Sequence, residues 1–257
     1  MSSQDGSRLS ALVTGASRRK GIGAAITLAL ARDGWDVTTT FWRPYDERMP
    51  WGSDPADVPW LRDQLEAHGA KTIAIEADLS LVETPAYIFD EAERGIGSIT
   101  ALVLAHAESV DSDIIGTTVE SFGRHFAVNA RASWLLVREF GRRFRGPRGR
   151  GRLVALTSDH VAGSLPYGAS KGALNRIIFA AAKEFAHDGC GITANVVEPG
   201  PTDTGWMTAE EMAEFGRRNP QGRVGLPEDC ANLVTFLCSA AGGWINGLLL
   251  HSNGGLY

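Results

Sequence analysis

Short apolar runs alternate with longer segments of helical period along almost the whole of this 257-residue chain. No other feature restricts the architecture as much. A strand that is apolar along its full length must be buried on both faces, and that happens where helices cover both sides of a largely parallel sheet. The strand candidates are Leu9 to Val13, Val37 to Phe41, Thr72 to Ile75, Ala101 to Leu104, Leu153 to Leu156, Thr193 to Val197 and Leu248 to Leu250. One helix opens near Gly21 and runs to about Asp33, and another begins near Val58 and stops at His68-Gly69. Two long helices span Val119 to Phe144 and Tyr167 to Ala186, each with an apolar stripe that reads as core or subunit interface. The expected fold class is α/β, a doubly wound, seven-stranded, mostly parallel sheet with helices on both faces. No repeat or low-complexity linker interrupts it, and the length suits one domain over residues 1–257.

A net charge of −5 excludes a chain built mainly to hold a nucleic-acid backbone. The basic run Arg142 to Arg152 reads as a solvated connecting loop between a helix and a strand. Cys190, Cys230 and Cys238 share no metal-ligand spacing, so reduced structural thiols are expected and no metal site. The first eight residues have no apolar signal core, and no apolar run approaches the ~20 residues that span a bilayer. A cytoplasmic protein without a membrane partner is the expectation. The segment Trp42 to Trp60, rich in proline and tryptophan, reads as a long structured loop leaving the carboxyl edge of the sheet, either functional or a surface excursion pinned by its own tryptophans.

Two segments carry chemistry. Gly15, Gly21 and Gly23 punctuate a turn between the first strand and the helix after it, where missing side chains let backbone N–H groups and a helix N-terminus approach a pyrophosphate. Tyr167 and Lys171 stand one helical turn apart on one face. A free phenol has a pKa near ~10, so a fixed cation that favours its phenolate would make it a useful proton donor or acceptor nearer neutrality.

In this order Gly15, Gly21, Gly23, Asn129, Ser158, Tyr167 and Lys171 resemble the short-chain dehydrogenases/reductases, over essentially the whole chain. The tail Gly225-Leu-Pro227-Glu-Asp229 through Asn253-Gly-Gly255 adds to the likeness. The resemblance implies a single NAD(P)-binding Rossmann-fold domain and a small carbonyl or alcohol substrate. Tyr167 would be the general acid or base, Lys171 its tuner, Ser158 the holder of the substrate oxygen, and Asn129 the anchor of a relay water beside the lysine. It places the cofactor along Gly15, Ser17, Arg18, Arg19, Gly21, Ile22 and Gly23, then Trp42 and Arg43 after the second strand, and Asp78 and Leu79 beside the adenine. Ala105, His106 and Ala107 end the fourth strand, and Pro199, Gly200, Thr202 and Thr204 flank the nicotinamide with Tyr167 and Lys171. It further implies a homotetramer or homodimer through the two long helices and the C-terminal strand. In style the chain is most similar to the β-ketoacyl carrier-protein reductase group.

No acid ends the second strand to bind a ribose 2′-hydroxyl. Arg18, Arg19, Lys20 and Arg43 instead form a cationic set suited to a 2′-phosphate, which favours NADP(H), with NAD(H) possible. Four departures from the family pattern stand out. Gly15 and Gly21 are two residues further apart than usual, as in the divergent enoyl-reductase branch, although the Tyr167–Lys171 spacing is the ordinary one. Ala105-His-Ala-Glu108 replaces Asn-Asn-Ala-Gly, with His106 read as a structural histidine. Ser158 lies four residues closer to Tyr167 than is common, with Ser164 as an alternative, and Glu198 brings a carboxylate to the Pro-Gly turn, for a cationic or hydroxyl-rich substrate or for an arginine. Trp206, Met207, Met212 and Phe215 are candidates for an apolar lid wall. Two other functions fit the same residues: a NAD-dependent alcohol or sugar dehydrogenase, and a dinucleotide-binding sensor or scaffold without turnover.

Overall fold

The computed structural model describes residues 8–187 and 190–257; the N-terminal segment read above for a signal core lies outside them except for Arg8. In chain order the elements are β1 (Leu9–Thr14), α1 (Ile22–Arg32), β2 (Trp35–Phe41), α2 (Arg43–Glu47), α3 (Asp57–Ala67), β3 (Thr72–Glu76), α4 (Thr84–Ile96) and β4 (Ala101–Leu104). They continue with α5 (Val119–His125), a π-helical segment (Phe126–Ala132), α6 (Ser133–Arg143), β5 (Arg152–Leu156), α7 (Leu165–His187), β6 (Thr193–Glu198), α8 (Ala209–Arg218), α9 (Pro227–Cys238) and β7 (Leu249–His251). The strands form one seven-stranded sheet in the order β3-β2-β1-β4-β5-β6-β7. Each of its pairings is parallel, so "mostly parallel" understates the sheet.

Successive strand residues point to opposite faces, and both faces are packed. Leu12, Leu102, Leu104 and Leu153 join one buried cluster with Phe89 of α4, Phe140 of α6 and Ile178 of α7. Ala11, Val13, Val103 and Val154 join another with Ile26 and Leu30 of α1 and Val234 of α9. The central strands β1, β4 and β5 are therefore buried on both faces and read as short apolar runs, whereas the edge strands β3 and β7 are partly exposed. Among the described residues no helix is long and apolar enough to cross a membrane.

Three departures matter for the site. The long helix expected over Val119 to Phe144 is present, but the π-helical segment interrupts it at Asn129, and such segments often sit at functional positions. The Trp42 to Trp60 excursion contains the short α2 and the first residues of α3. Arg152, expected in a solvated loop, begins β5 instead, 3% exposed, with its guanidinium donating to the carbonyls of Gly149, Gly151 and Ser239.

Candidate active site

β1 pairs with β2 on one side and β4 on the other, so the chain reverses its winding direction between β1 and β4, where open α/β sheets bind ligands beyond the carboxyl ends of their strands. A cavity of about 1050 Å³ opens there. Its floor is the glycine turn, held by Gly15 and Ala16 N–H groups donating to the Thr40 carbonyl at 3.0 and 2.9 Å. Gly15 has φ +78°, and a Cβ on it would lie 2.6 Å from the backbone of His106. Only glycine fits. Helix α1 opens at Gly21 without a side-chain cap, so its positive N-terminal end faces the cavity beside Ser17, Ile22 and Gly23.

The additional residues of the turn are accommodated locally. The Gly21 N–H donates to the Arg18 carbonyl at 2.9 Å, closing a tight turn. Arg18 lines the cavity: Nη1 donates to the Thr204 carbonyl at 2.8 Å, Nε lies 3.5 Å from Asp46, and the guanidinium sits 4.7 Å from the centroid of the Trp51 ring. Burial draws its pKa down. Arg19 pairs with Asp57 at 2.6 Å over the Trp60 ring, and Arg43 forks onto Glu76 at 2.5 and 3.0 Å. Neither Arg19 nor Arg43 is among the cavity's lining residues, so two of the cations expected at a 2′-phosphate are spent on neighbouring carboxylates. The other expected cofactor positions do meet there: Trp42, Asp78, Leu79, Ala105, His106, Ala107, Pro199, Gly200, Thr202 and Thr204.

At the opposite end α7 presents Tyr167 and Lys171 on one face, with the lysine Nζ 5.7 Å from the tyrosine ring centroid. Lys171 donates to the carbonyls of Leu156 at 3.0 Å and His106 at 3.4 Å, and burial lowers its pKa to about 8. The Tyr167 phenol moves the other way from the expected depression. Burial pushes it up to about 12; a hydrogen bond with Ser158 pulls it down, and the charges of Glu198, Asp111 and Asp159 push it further up. Ser158 Oγ also lies 3.0 Å from His160 Nδ1 and accepts from the His160 N–H at 3.2 Å. The alternative serine, Ser164, donates to Asp111 at 2.5 Å.

Asn129 is fully buried and does not line the cavity. Its Oδ1 accepts from the Glu108 N–H at 2.7 Å, and its Nδ2 donates to the Glu108 carbonyl at 2.8 Å and to Ser170 Oγ at 2.9 Å. Ser170 in turn donates to the Tyr167 carbonyl at 2.8 Å. Both amide hydrogens are thus used within the protein, so a water beside Lys171 would be held through an Asn129 oxygen. Asn129 also ties the segment after β4 to the start of α7.

His106 takes over part of the missing amide network. Its Nε2 faces the Val128 carbonyl at 3.1 Å and its Nδ1 faces the Thr14 hydroxyl at 2.6 Å. A carbonyl only accepts, so the proton sits on Nε2 and Nδ1 accepts from the threonine. Burial and then the Lys171 charge lower its pKa to about 3, which keeps it neutral. Glu108, in the place of a glycine, is 3% exposed and receives Arg48 on both oxygens and Arg124 at 3.2 Å.

Arg48 shows what the Trp42–Trp60 excursion does. It crosses the mouth of the cavity as a strap: Tyr45 reaches the Ser109 carbonyl at 3.4 Å, Arg48 holds Glu108, and Trp51 stacks on Trp206 with centroids 5.0 Å apart and planes at 4°. Trp51 Nε1 donates to Asp46 at 3.0 Å, which also faces Arg18. Of the expected lid wall, Trp206, Met207 and Phe215 line the cavity and Met212 does not. The partners across the strap, together with Asp111, Asp159 and Tyr257 in the wall, escaped sequence reasoning; only the tryptophan density of the excursion hinted at them.

The chain is similar to known oxidoreductases over nearly its whole length. A family model described as enoyl-(acyl carrier protein) reductase matches residues 15–257. An uncharacterized oxidoreductase of Bacillus subtilis is 34% identical, covering 95% of each chain. An NADPH-dependent aldehyde reductase-like chloroplastic protein of Arabidopsis thaliana is 33% identical over 95% of this chain and 93% of its own. Among solved structures, a short-chain dehydrogenase of Burkholderia cenocepacia in complex with NADP superposes with a TM-score of 0.84 at 30% identity, covering 97% of each chain.

Proposed function

The chain belongs to the short-chain dehydrogenases/reductases, and from that premise we propose that it is an NADP(H)-dependent oxidoreductase interconverting a ketone and a secondary alcohol, with Tyr167 as its proton donor and acceptor. The observation that carries this reading is the convergence, in one cavity at the carboxyl ends of the strands, of the glycine turn with Tyr167, Lys171 and Ser158. The residues suit a dinucleotide. Gly15 admits no side chain, the uncapped start of α1 favours a pyrophosphate, and Arg18 supplies a cation beside it. The preference for NADP(H) draws support from the Arabidopsis relative, named as NADPH-dependent, and from the Burkholderia structure, which contains NADP.

A nicotinamide held in this cavity would supply the hydride. The protein's part is to hold the carbonyl and move one proton. Ser158 Oγ donates to the carbonyl oxygen and Tyr167 delivers its phenolic proton to that oxygen; in oxidation the Tyr167 phenolate takes the proton back. A phenol held at about 12 stays protonated at neutral pH, ready for reduction. The Lys171 ammonium, on the same helical face, stabilises the phenolate that remains. Asn129, through Ser170, positions the turn of α7 that carries Tyr167. Arg48 and Arg124, towards the mouth of the cavity, are engaged with Glu108, which favours a free carbonyl compound over an acyl group on an acidic carrier, against the β-ketoacyl reductase version of this function. A homotetramer or homodimer would cover Trp134 on α6, 49% exposed, and Trp244 beside β7, 98% exposed. Titration with NADPH and NADH, then turnover of a ketone panel by the wild type and Tyr167→Phe, tests the assignment. Cofactor binding with no turnover of any ketone or alcohol would favour the sensor reading.

A further inference from the structure

The two ends of the cavity differ in charge, and the difference bears on the substrate. Four arginines line the cavity, and each faces a carboxylate of the protein: Arg18 faces Asp46, Arg48 and Arg124 share Glu108, and Arg218 lies 3.8 Å from Glu214. The carboxylates around Tyr167 have no such partners. Asp111 receives only the Ser164 hydroxyl, and Asp159 meets the phenol of Tyr257; among the described residues neither has an arginine or lysine in ion-pair contact. Glu198, 3% exposed, accepts from the Gly200 N–H at 2.7 Å and lies 3.3 Å from His251 Nδ1; among the described residues it has no arginine or lysine in ion-pair contact. Asp111, Asp159 and Glu198 all line the cavity with Tyr167 and act on its phenol as negative charges.

A separate observation points to a ligand in the same wall. Thr157, between Leu156 and the candidate catalytic Ser158, lines the cavity at 3% exposure, and its Oγ1 has no hydrogen-bond partner. Buried hydroxyls are seldom left unpaired, because the lost hydration costs about 1–3 kcal/mol. A bound N–H or O–H donor would satisfy it.

We propose that the site takes a carbonyl substrate whose non-reacting part is a cationic hydrogen-bond donor, an amino ketone or the corresponding amino alcohol, selected by Asp111, Asp159 and Glu198. The proposal rests on reading the cavity as a carbonyl and alcohol site. Three carboxylates on one wall of the cleft, Asp111 and Asp159 exposed and Glu198 buried, attract an ammonium and repel an anion. The same charges oppose an acidic carrier or a phosphorylated substrate at this end.

The test uses the full chain with NADPH and three acetophenones matched in shape, bearing an aminomethyl, a hydroxymethyl or a carboxylate group para to the ketone. Kd is read from the fluorescence of the cavity tryptophans, and kcat/KM from NADPH consumption. The aminomethyl ketone is expected to bind at least tenfold more tightly than the hydroxymethyl one, and the carboxylate at least tenfold more weakly. Asp111→Asn and Asp159→Asn should each compress the ammonium-to-carboxylate ratio several-fold, and added salt should compress it in the wild type. Equal binding of the three, preference for the carboxylate or the hydroxymethyl compound, or binding of none overturns the proposal. The predicted binding order without turnover upholds the charge selection and contradicts the hydride-transfer reading alone.

Discussion

Replacing His106 with asparagine should remove a specific pH dependence from the stability of the fold. In the folded chain the imidazole is 7% exposed, with its proton on Nε2 facing Val128 and its Nδ1 accepting from Thr14; burial and the Lys171 charge hold its pKa near 3. In the unfolded chain it titrates near ~6.5. Between these two values the unfolded state binds a proton that the folded state does not. The contribution to stability is therefore complete above pH ~6.5 and is lost, at about 1.4 kcal/mol per pH unit, as the pH falls towards 3. From pH 7.5 to 4.5 the loss is roughly 3 kcal/mol. The carboxylates titrate in the same window, but they are common to both proteins and cancel in the difference. Urea unfolding of wild type and His106→Asn at half-unit pH steps gives that difference directly. At pH 7.5 the variant should be the less stable by about 1–3 kcal/mol, since the Val128 carbonyl and the Thr14 hydroxyl lose a shared partner. By pH 4.5 the gap should have closed or changed sign. A difference that stays flat across this range would show that the imidazole is not held neutral, and one that widens as the pH falls would show that it is folded as the cation.

Gly15→Ala should abolish NADPH binding and lower the melting temperature, because an alanine at φ +78° costs about 1 kcal/mol before its Cβ meets the His106 backbone at 2.6 Å; undisturbed binding in a cofactor titration would refute the close approach. Arg18→Ala should weaken NADPH at least tenfold while Arg43→Ala changes it less than twofold, since Arg43 is committed to Glu76 outside the cavity; the reverse order would place the 2′-phosphate at the end of β2 instead. In the reducing direction kcat/KM should fall as pH rises through about 8, where Lys171 loses the ammonium that supports the phenolate, whereas the phenol itself stays protonated until about 12; a profile level to pH 9.5 would remove Lys171 from that role.

The sheet was legible because it is buried on both faces. Leu12, Val13, Leu102 and Val103 had to be apolar regardless of which way they point, and that continuity marked each strand within one or two residues. The site was legible where chemistry and spacing coincide within one element: the glycine turn, and Tyr167 with Lys171 on α7. It was not legible where partners come from distant segments. Nothing local distinguishes Arg18, which faces the cavity, from Arg43, which leaves it for Glu76. Arg48 meets Glu108 across 60 residues, and Trp51 finds Trp206 on the other side of the sheet's carboxyl edge. Helical periodicity ran straight through Asn129, because a π segment shifts register without altering composition, and its engagement with Glu108 and Ser170 had no signature in sequence.

The central claim is that Tyr167 passes the proton that accompanies hydride transfer. It is met most directly by a single-turnover experiment: protein preloaded with NADPH is mixed with the aminomethyl acetophenone, and the loss of NADPH absorbance is followed for wild type and Tyr167→Phe, with NADPH affinity measured for both. The account predicts full NADPH affinity in both proteins and a rate at least about a hundredfold lower in the variant, since general acid catalysis contributes about 10²–10⁴-fold. Equal rates in the two proteins would contradict it.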